Sequence, residues 1–218
     1  MKAVSIPYFL KELESLFPEA KGELNSRNTY ELCVAVILSA QSTDISVNRV
    51  TPALFDRYPD LASLAKAEVK EVEGYISKLG LYHAKAVNII GFAKKVMEEY
   101  EGIIPSSMED LTSLPGVGRK CANVIQGECF GIPALAVDTH VARVSKRLGL
   151  AYLKDDVFSI EKKLKKKVPK ERWTKTHHQM IFFGRYLCQS RKPQCYRCPF
   201  VENCREKKKN LLKEGSCS

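Results

Sequence analysis

Leu114-Pro115-Gly116-Val117-Gly118-Arg119-Lys120 sits between two stretches with helical spacing. Two glycines two residues apart, following a proline, make a tight turn with backbone angles closed to other residues. The N–H groups of such a turn are expected to point outward where the next helix begins. The helix dipole also favours an anion there. A phosphate held in this way is bound through backbone, so the base sequence goes unread. A turn like this is a weak signal alone. Between two helices in a basic chain it is a helix-hairpin-helix signal.

Outward from that turn the apolar residues keep helical intervals. Ile6, Phe9, Leu10, Leu13, Leu16 and Phe17 step by three or four, apart from adjacent pairs. So do Tyr82, Ala86, Ile89, Ile90, Ala93, Met97 and Tyr100, and again Val137, Val141, Val144 and Leu148. Each set is the stripe of an amphipathic helix. Leu32–Leu38 is apolar on all sides, and periodicity does not separate a buried helix from a buried strand. We assign it to helix because it runs on through Ser39–Gln41 and its neighbours are helical. No two-residue hairpin signal between alternating apolar residues occurs, so the fold class is all-α. Pro59, Gly80, Gly102–Pro105, Pro115–Gly118, Gly131–Pro133, Gly149 and Pro169 mark the breaks. The basic run Lys162–Lys167 carries the stripe Val157, Ile160, Leu164 and Val168. It reads first as a solvated helix face and second as a phosphate-facing surface.

At 218 residues the chain lies between one domain and two. Its formal net charge of +10 suits a polyanionic partner, nucleic acid above all, although lysines also serve solubility. No segment approaches the ~20 apolar residues that cross a bilayer. The short apolar start, Ala3 to Leu10, is broken by Pro7 and runs into Lys11-Glu12, unlike a signal peptide. A cytoplasmic location with no membrane partner is expected. In a reducing compartment the eight cysteines are not expected to form a disulfide framework. Cys33, Cys121 and Cys129 lie singly among apolar residues and read as small buried hydrophobes. Cys217 reads as a free thiol in the tail.

The other four, Cys188, Cys195, Cys198 and Cys204, crowd together with six, two and five residues between them. Structural zinc usually takes two close pairs separated by a longer segment. Here there is one close pair with single ligands at unequal distances. An iron–sulfur cluster, most simply [4Fe–4S], is the better reading, with zinc the alternative. The surroundings are basic: Arg185, Arg191, Lys192, Arg197 and Arg205. Tied at both ends and containing Pro193, the loop 189–194 should be stiff and present Arg191 and Lys192 to a phosphate. These cations could also simply balance the cluster charge.

Lys120 stands in the first turn of the helix after the hairpin. The dipole and Arg119 disfavour an ammonium ion there, and a neutral lysine amine is a nucleophile able to form a Schiff base. The bland reading is a solvated surface charge. Asp138 opens a later helix, where its plain job is an N-cap. A capping carboxylate can still turn its second oxygen toward a reaction centre.

In order along the chain, Leu-Pro-Gly-Val-Gly-Arg-Lys at 114–120, Val-Asp-Thr-His at 137–140 and the four cysteines resemble the endonuclease III family of bifunctional helix-hairpin-helix DNA glycosylases. Leu38-Ser39-Ala40-Gln41-Ser42-Thr43-Asp44, Gly80-Leu81-Tyr82 with Lys85-Ala86, His177-His178 and Gly184-Arg185-Tyr186 extend the resemblance over about residues 5–205. It implies two helical lobes, 22–134 and 1–21 with 135–218, and a [4Fe–4S] cluster in the second. It implies a monomer acting on double-stranded DNA containing damaged pyrimidines or abasic sites, with DNA across the cleft and the damaged nucleotide flipped out. Lys120 and Asp138 would face each other at the cleft mouth. Lys120 would attack the sugar C1′ and displace the base. Asp138 would stabilise cationic charge or assist proton transfer, and β-elimination would cut the strand. Gln41 would fill the space left by the flipped base and Leu81 would wedge between bases. Gly116, Gly118, Arg119, His140, Arg191 and Lys192 are the remaining expected DNA contacts. Cys121 and the residues around Gln126–Cys129 depart from the family pattern and leave substrate range open. The rivals are a monofunctional adenine or mismatch glycosylase of the same superfamily, which would lack a lysine at 120, and a non-catalytic iron–sulfur or zinc DNA-binding protein, which would need neither Lys120 nor Asp138.

Overall fold

In the computed structural model residues 3–211 are described, and Cys217 lies outside them. The described residues contain eleven α-helices and no strand. They are α1 (Ile6–Leu16), α2 (Thr29–Leu38), α3 (Asp44–Arg57), α4 (Leu61–Ala65), α5 (Val69–Ile76), α6 (Tyr82–Glu99), α7 (Met108–Ser113), α8 (Arg119–Cys129), α9 (Thr139–Arg147), α10 (Val157–Lys167) and α11 (Trp173–Phe182). No helix among the described residues is long and apolar enough to cross a membrane. The chain divides into two compact units, Glu23–Ile132 and the pairing of Met1–Gly22 with Pro133–Ser218.

The first unit is built around α2. Its residues from Cys33 to Leu38 are all buried, as a helix apolar all round requires. It packs against α3, α6 and α8. The Asn28 side chain caps it by accepting from the Glu31 N–H at 2.9 Å. The buried Glu31 carboxylate accepts from both the Arg27 backbone N–H and Nε, each at 2.7 Å. The ambiguous apolar run is therefore helical because helices surround it. Cys33 is fully buried, while Cys121 and Cys129 are half-buried against the same core. A hydrogen bond with Cys129, together with burial, pushes the Cys33 thiol well above its ordinary range.

The second unit gathers α1, α9, α10 and α11 around Phe9, Leu13, Val141, Val144, Ile160, Leu164, Met180 and Phe183. Phe200, between the third and fourth clustered cysteines, is fully buried. Its ring meets those of Tyr8, Phe9 and Phe183 at 5.7, 5.6 and 5.3 Å. The cysteine segment is thus anchored by an aromatic plug, at a spacing typical of favourable ring pairs. The basic run forms the end of α10, with Lys165 on Glu161 at 2.8 Å and Lys163 on Asp155 at 2.5 Å. Ile160, Leu164 and Val168 are buried there, but Val157 is exposed.

Candidate active site and metal centre

The hairpin is held from below by its apolar residues. Leu114 and Val117 are buried, and the Val117 N–H closes the turn onto the Leu114 carbonyl at 3.1 Å. Gly116 has φ +77°, and a Cβ there would stand 2.7 Å from Ile37 Cγ2 and 3.0 Å from Asn88 Cβ. Only glycine meets both demands. Gly118 has an ordinary φ of −83° and open space where a Cβ would lie. The fold does not require glycine there, and its bareness leaves room for a ligand. Gly118 caps α8, with its carbonyl accepting from the Ala122 N–H at 2.9 Å. Arg119 and Lys120 follow, both exposed. The Gly118 amide interacts with the Cys121 thiol, which burial pushes up and which Lys120 and that amide pull back. The backbone N–H of Lys120, at the second position of α8, has no intrahelical acceptor and is offered to an anion.

Gln41 and Leu81 lie in the same unit as the hairpin, and both are exposed, Leu81 at 57%. Leu81 is therefore not core. Gln41 (φ 53°) and Leu81 (φ 60°) are left-handed, as is Lys192 (φ 50°) in the other unit. Among the described non-glycine residues only Glu101 joins them. A bulky residue in this region costs of order 1 kcal/mol or more, and such strain tends to persist where a side chain is needed for function. Leu81 serves as the N-cap of α6 without a side-chain hydrogen bond.

In the second unit Asp138 is the N-cap of α9, its Oδ1 accepting from the Val141 N–H at 2.8 Å. Val137 belongs to the expected stripe but precedes the helix, buried beside the cap. His140 follows in the first turn. Arg143 Nη2 lies 3.1 Å from His140 Nδ1, which makes Nδ1 the acceptor and places the proton of a neutral ring on Nε2. Gly184 allows this approach, because a Cβ there would be 2.8 Å from His140 Cβ.

Cys188, Cys195, Cys198 and Cys204 line one cavity together with Leu148, Phe183 and Arg147. No three His, Cys, Asp or Glu side chains among the described residues close on a point that would hold a single ion. Burial pushes the Cys198 thiol up to about 12, so metal binding there must displace a proton. A π-helical turn over Phe183–Leu187 delivers Cys188, whose N–H reaches back five residues to the Phe183 carbonyl at 2.7 Å.

Two arginines that sequence reasoning missed hold this centre. Arg143 donates Nε to the Cys188 carbonyl at 3.1 Å and Nη2 to the Gly184 carbonyl at 2.8 Å. Arg147, one helical turn later, donates Nη1 to the Gln189 carbonyl at 2.8 Å and to Cys188 Sγ at 3.4 Å, while Nε meets Glu206 at 2.9 Å. Helix α9 is thus capped by Asp138 and ends as the brace of the cysteine loop. The four-residue spacing of the two arginines places both on one face of the helix that Asp138 opens, but says nothing of the carbonyls they meet. The loop they brace carries Arg191 and Lys192, both exposed, beside buried Pro193.

Residues 34–170 match the family model described as HhH-GPD superfamily base excision DNA repair protein. The chain is 48% identical over 212 residues to endonuclease III of Bacillus subtilis, covering 95% of this chain and 97% of that one. It is 42% identical over 200 residues to endonuclease III of Escherichia coli K12, covering 92% and 94%. Among solved structures it is similar to an endonuclease III–DNA covalent intermediate, with TM-score 0.89, 48% identity and coverage of 92% of this chain and 94% of that one.

Proposed function

The chain belongs to the endonuclease III family, and on that premise we propose that Lys120 and Asp138 carry its two chemical steps. It is a base-excision-repair enzyme, a DNA glycosylase and abasic-site lyase for oxidised pyrimidines. The carrying observation is 48% identity to an endonuclease III over 95% of this chain, with an exposed lysine two residues past the hairpin.

In the proposed reaction the neutral Lys120 amine attacks C1′ of the flipped nucleotide. The C1′–N bond breaks and the base leaves with the bonding pair. Asp138 stabilises the positive charge that develops on the sugar. The departed base anion takes a proton from water, and the C1′–O4′ bond then breaks as the nitrogen lone pair forms C1′=N. One N–H proton passes to O4′, and a protonated Schiff base links Lys120 to C1′. Its iminium acidifies the C2′ proton; removal of that proton expels the 3′ phosphate and cuts the strand. Water then hydrolyses the imine and frees the lysine. Duplex DNA with a damaged pyrimidine or an abasic site is the partner, bound by a cytoplasmic monomer. The start of α8, with Gly116, the open face of Gly118, Arg119 and His140, takes phosphates, while Gln41 and Leu81 enter the stack beside the flipped nucleotide. The reading is tested with thymine glycol in duplex DNA. A strand cut 3′ to the lesion, with an unsaturated aldehyde end, is expected. Base release that leaves the strand intact would point to a monofunctional glycosylase instead.

Cys188, Cys195, Cys198 and Cys204 would hold a [4Fe–4S] cluster, and the cavity that they line together, with the Arg147 donor at Cys188 Sγ, fits that group. Bound there, it supplies cross-linking of the segment 188–204; none of the steps above needs an electron from it. Protein purified without air should be brown and contain about four iron atoms per chain, and Cys198→Ala should lose both iron and colour. Colourless protein carrying zinc would overturn the assignment.

The braced loop gives Lys192 a phosphate contact of fixed geometry. Lys192→Glu should weaken duplex binding and lower the slope of log K against log salt by about one. Iron content should not change. An unchanged slope would contradict the contact.

A further inference from the structure

Lys85 is the one buried lysine among the described residues, at 3% exposure. Lysine is almost never fully buried unless paired, and an ammonium withdrawn from water needs hydrogen bonds. Lys85 Nζ donates to Ser42 Oγ at 2.7 Å. Burial holds the amine below the ordinary lysine range.

Its position relates two otherwise separate features. Ser42 directly follows the left-handed Gln41, past the end of α2. Lys85 lies in the first turn of α6, and its N–H closes onto the carbonyl of the left-handed Leu81 at 3.0 Å. Between them, a Cβ on Gly80 would stand 3.9 Å from the Gln41 carbonyl oxygen. The side chain of Lys85 therefore reaches the residue beside Gln41, and its backbone bonds directly to Leu81. The Gln41 turn is closed by its own backbone bond, from the Ser42 N–H to the Ser39 carbonyl at 3.0 Å, and the Lys85–Ser42 bond ties that turn to α6.

We propose that Lys85 is a positioning residue for entry into the duplex: its bond to Ser42 fixes Gln41 in register with Leu81, so that both side chains enter the stack as one unit. This rests on the reading that Gln41 and Leu81 occupy the duplex at the flipped nucleotide. Lys85→Met keeps the apolar stem and removes the donor. Ser42→Ala removes the acceptor from the other side.

The test uses duplex DNA with an abasic analogue opposite 2-aminopurine, whose emission reports the surroundings of the unpaired base. At saturating protein, Lys85→Met should lose at least half of the wild-type emission change. Single-turnover release of thymine glycol from duplex should slow about tenfold, as loss of a hydrogen bond to a charged group implies. Borohydride trapping on single-stranded abasic DNA, where no opposite base must be displaced, should stay within about twofold of wild type. Ser42→Ala should shift the first two readouts in the same direction, and the double variant should do little more than either alone. If Lys85→Met does not fold, Ser42→Ala carries the comparison. Gln41→Ala separates the two levels. If it abolishes the emission change while Lys85→Met and Ser42→Ala leave it intact, the positioning role is overturned and the reading of Gln41 survives. If Gln41→Ala itself has no effect, the reading of Gln41 falls and the positioning role falls with it.

Discussion

Replacing Lys120 with glutamine is expected to leave a folded, DNA-binding protein that neither releases thymine glycol nor cuts at an abasic site. The reason is local. Lys120 is exposed in the first turn of α8, above a hairpin anchored by buried Leu114 and Val117. Glutamine is a good helix former and removes no packing. What it removes is the only nitrogen proposed to bond to C1′. Single-turnover rates on both substrates should fall about 10⁴-fold or more, the scale of losing a covalent nucleophile. The melting temperature and the affinity for an uncleavable abasic analogue should change little. A variant that still cuts abasic sites at a tenth of the wild-type rate would assign the nucleophile elsewhere.

Asp138→Asn is expected to slow base release by about 10²- to 10³-fold while leaving stability almost unchanged, because it separates the two jobs of one side chain. Asn and Asp cap helices about equally well, so the amide oxygen can still accept from the Val141 N–H. Its charge, however, is gone. Asp138→Ala loses the cap as well and should cost about 1 kcal/mol of stability. Thermal melts with single-turnover rates on both variants decide the matter. If Asn restored activity as well as it restores stability, Asp138 would be a cap and nothing more.

Much of the fold was legible because amphipathic stripes survive in the sequence. Ile6–Phe17 and Tyr82–Tyr100 read as helices and are helices, trimmed to Ile6–Leu16 and Tyr82–Glu99. Leu32–Leu38 was not readable by period. A helix buried on every side has no polar face, so its identity came only from its neighbours. Val137 shows the opposite limit, an apolar residue in phase with a helix that starts two residues later behind an aspartate cap. Around the site, the hairpin and the four cysteines are motifs whose chemistry requires their spacing. The bracing arginines are not, because arginine at helical spacing reads as surface until its carbonyl partners are known. Lys85 was hidden for the same reason, since a lysine beside an alanine gives no sign of burial. The left-handed angles of Gln41, Leu81 and Lys192 carry no glycine to announce them.

The proposed bond between Lys120 and C1′ is open to direct observation. Duplex DNA containing an abasic site is incubated with the protein, reduced with borohydride, digested, and the peptide bearing the sugar is sequenced by mass spectrometry. The adduct is expected on Lys120, in the segment that begins at the hairpin. An adduct on the amino terminus or on any other lysine, or no adduct from protein that cuts the strand, would contradict it.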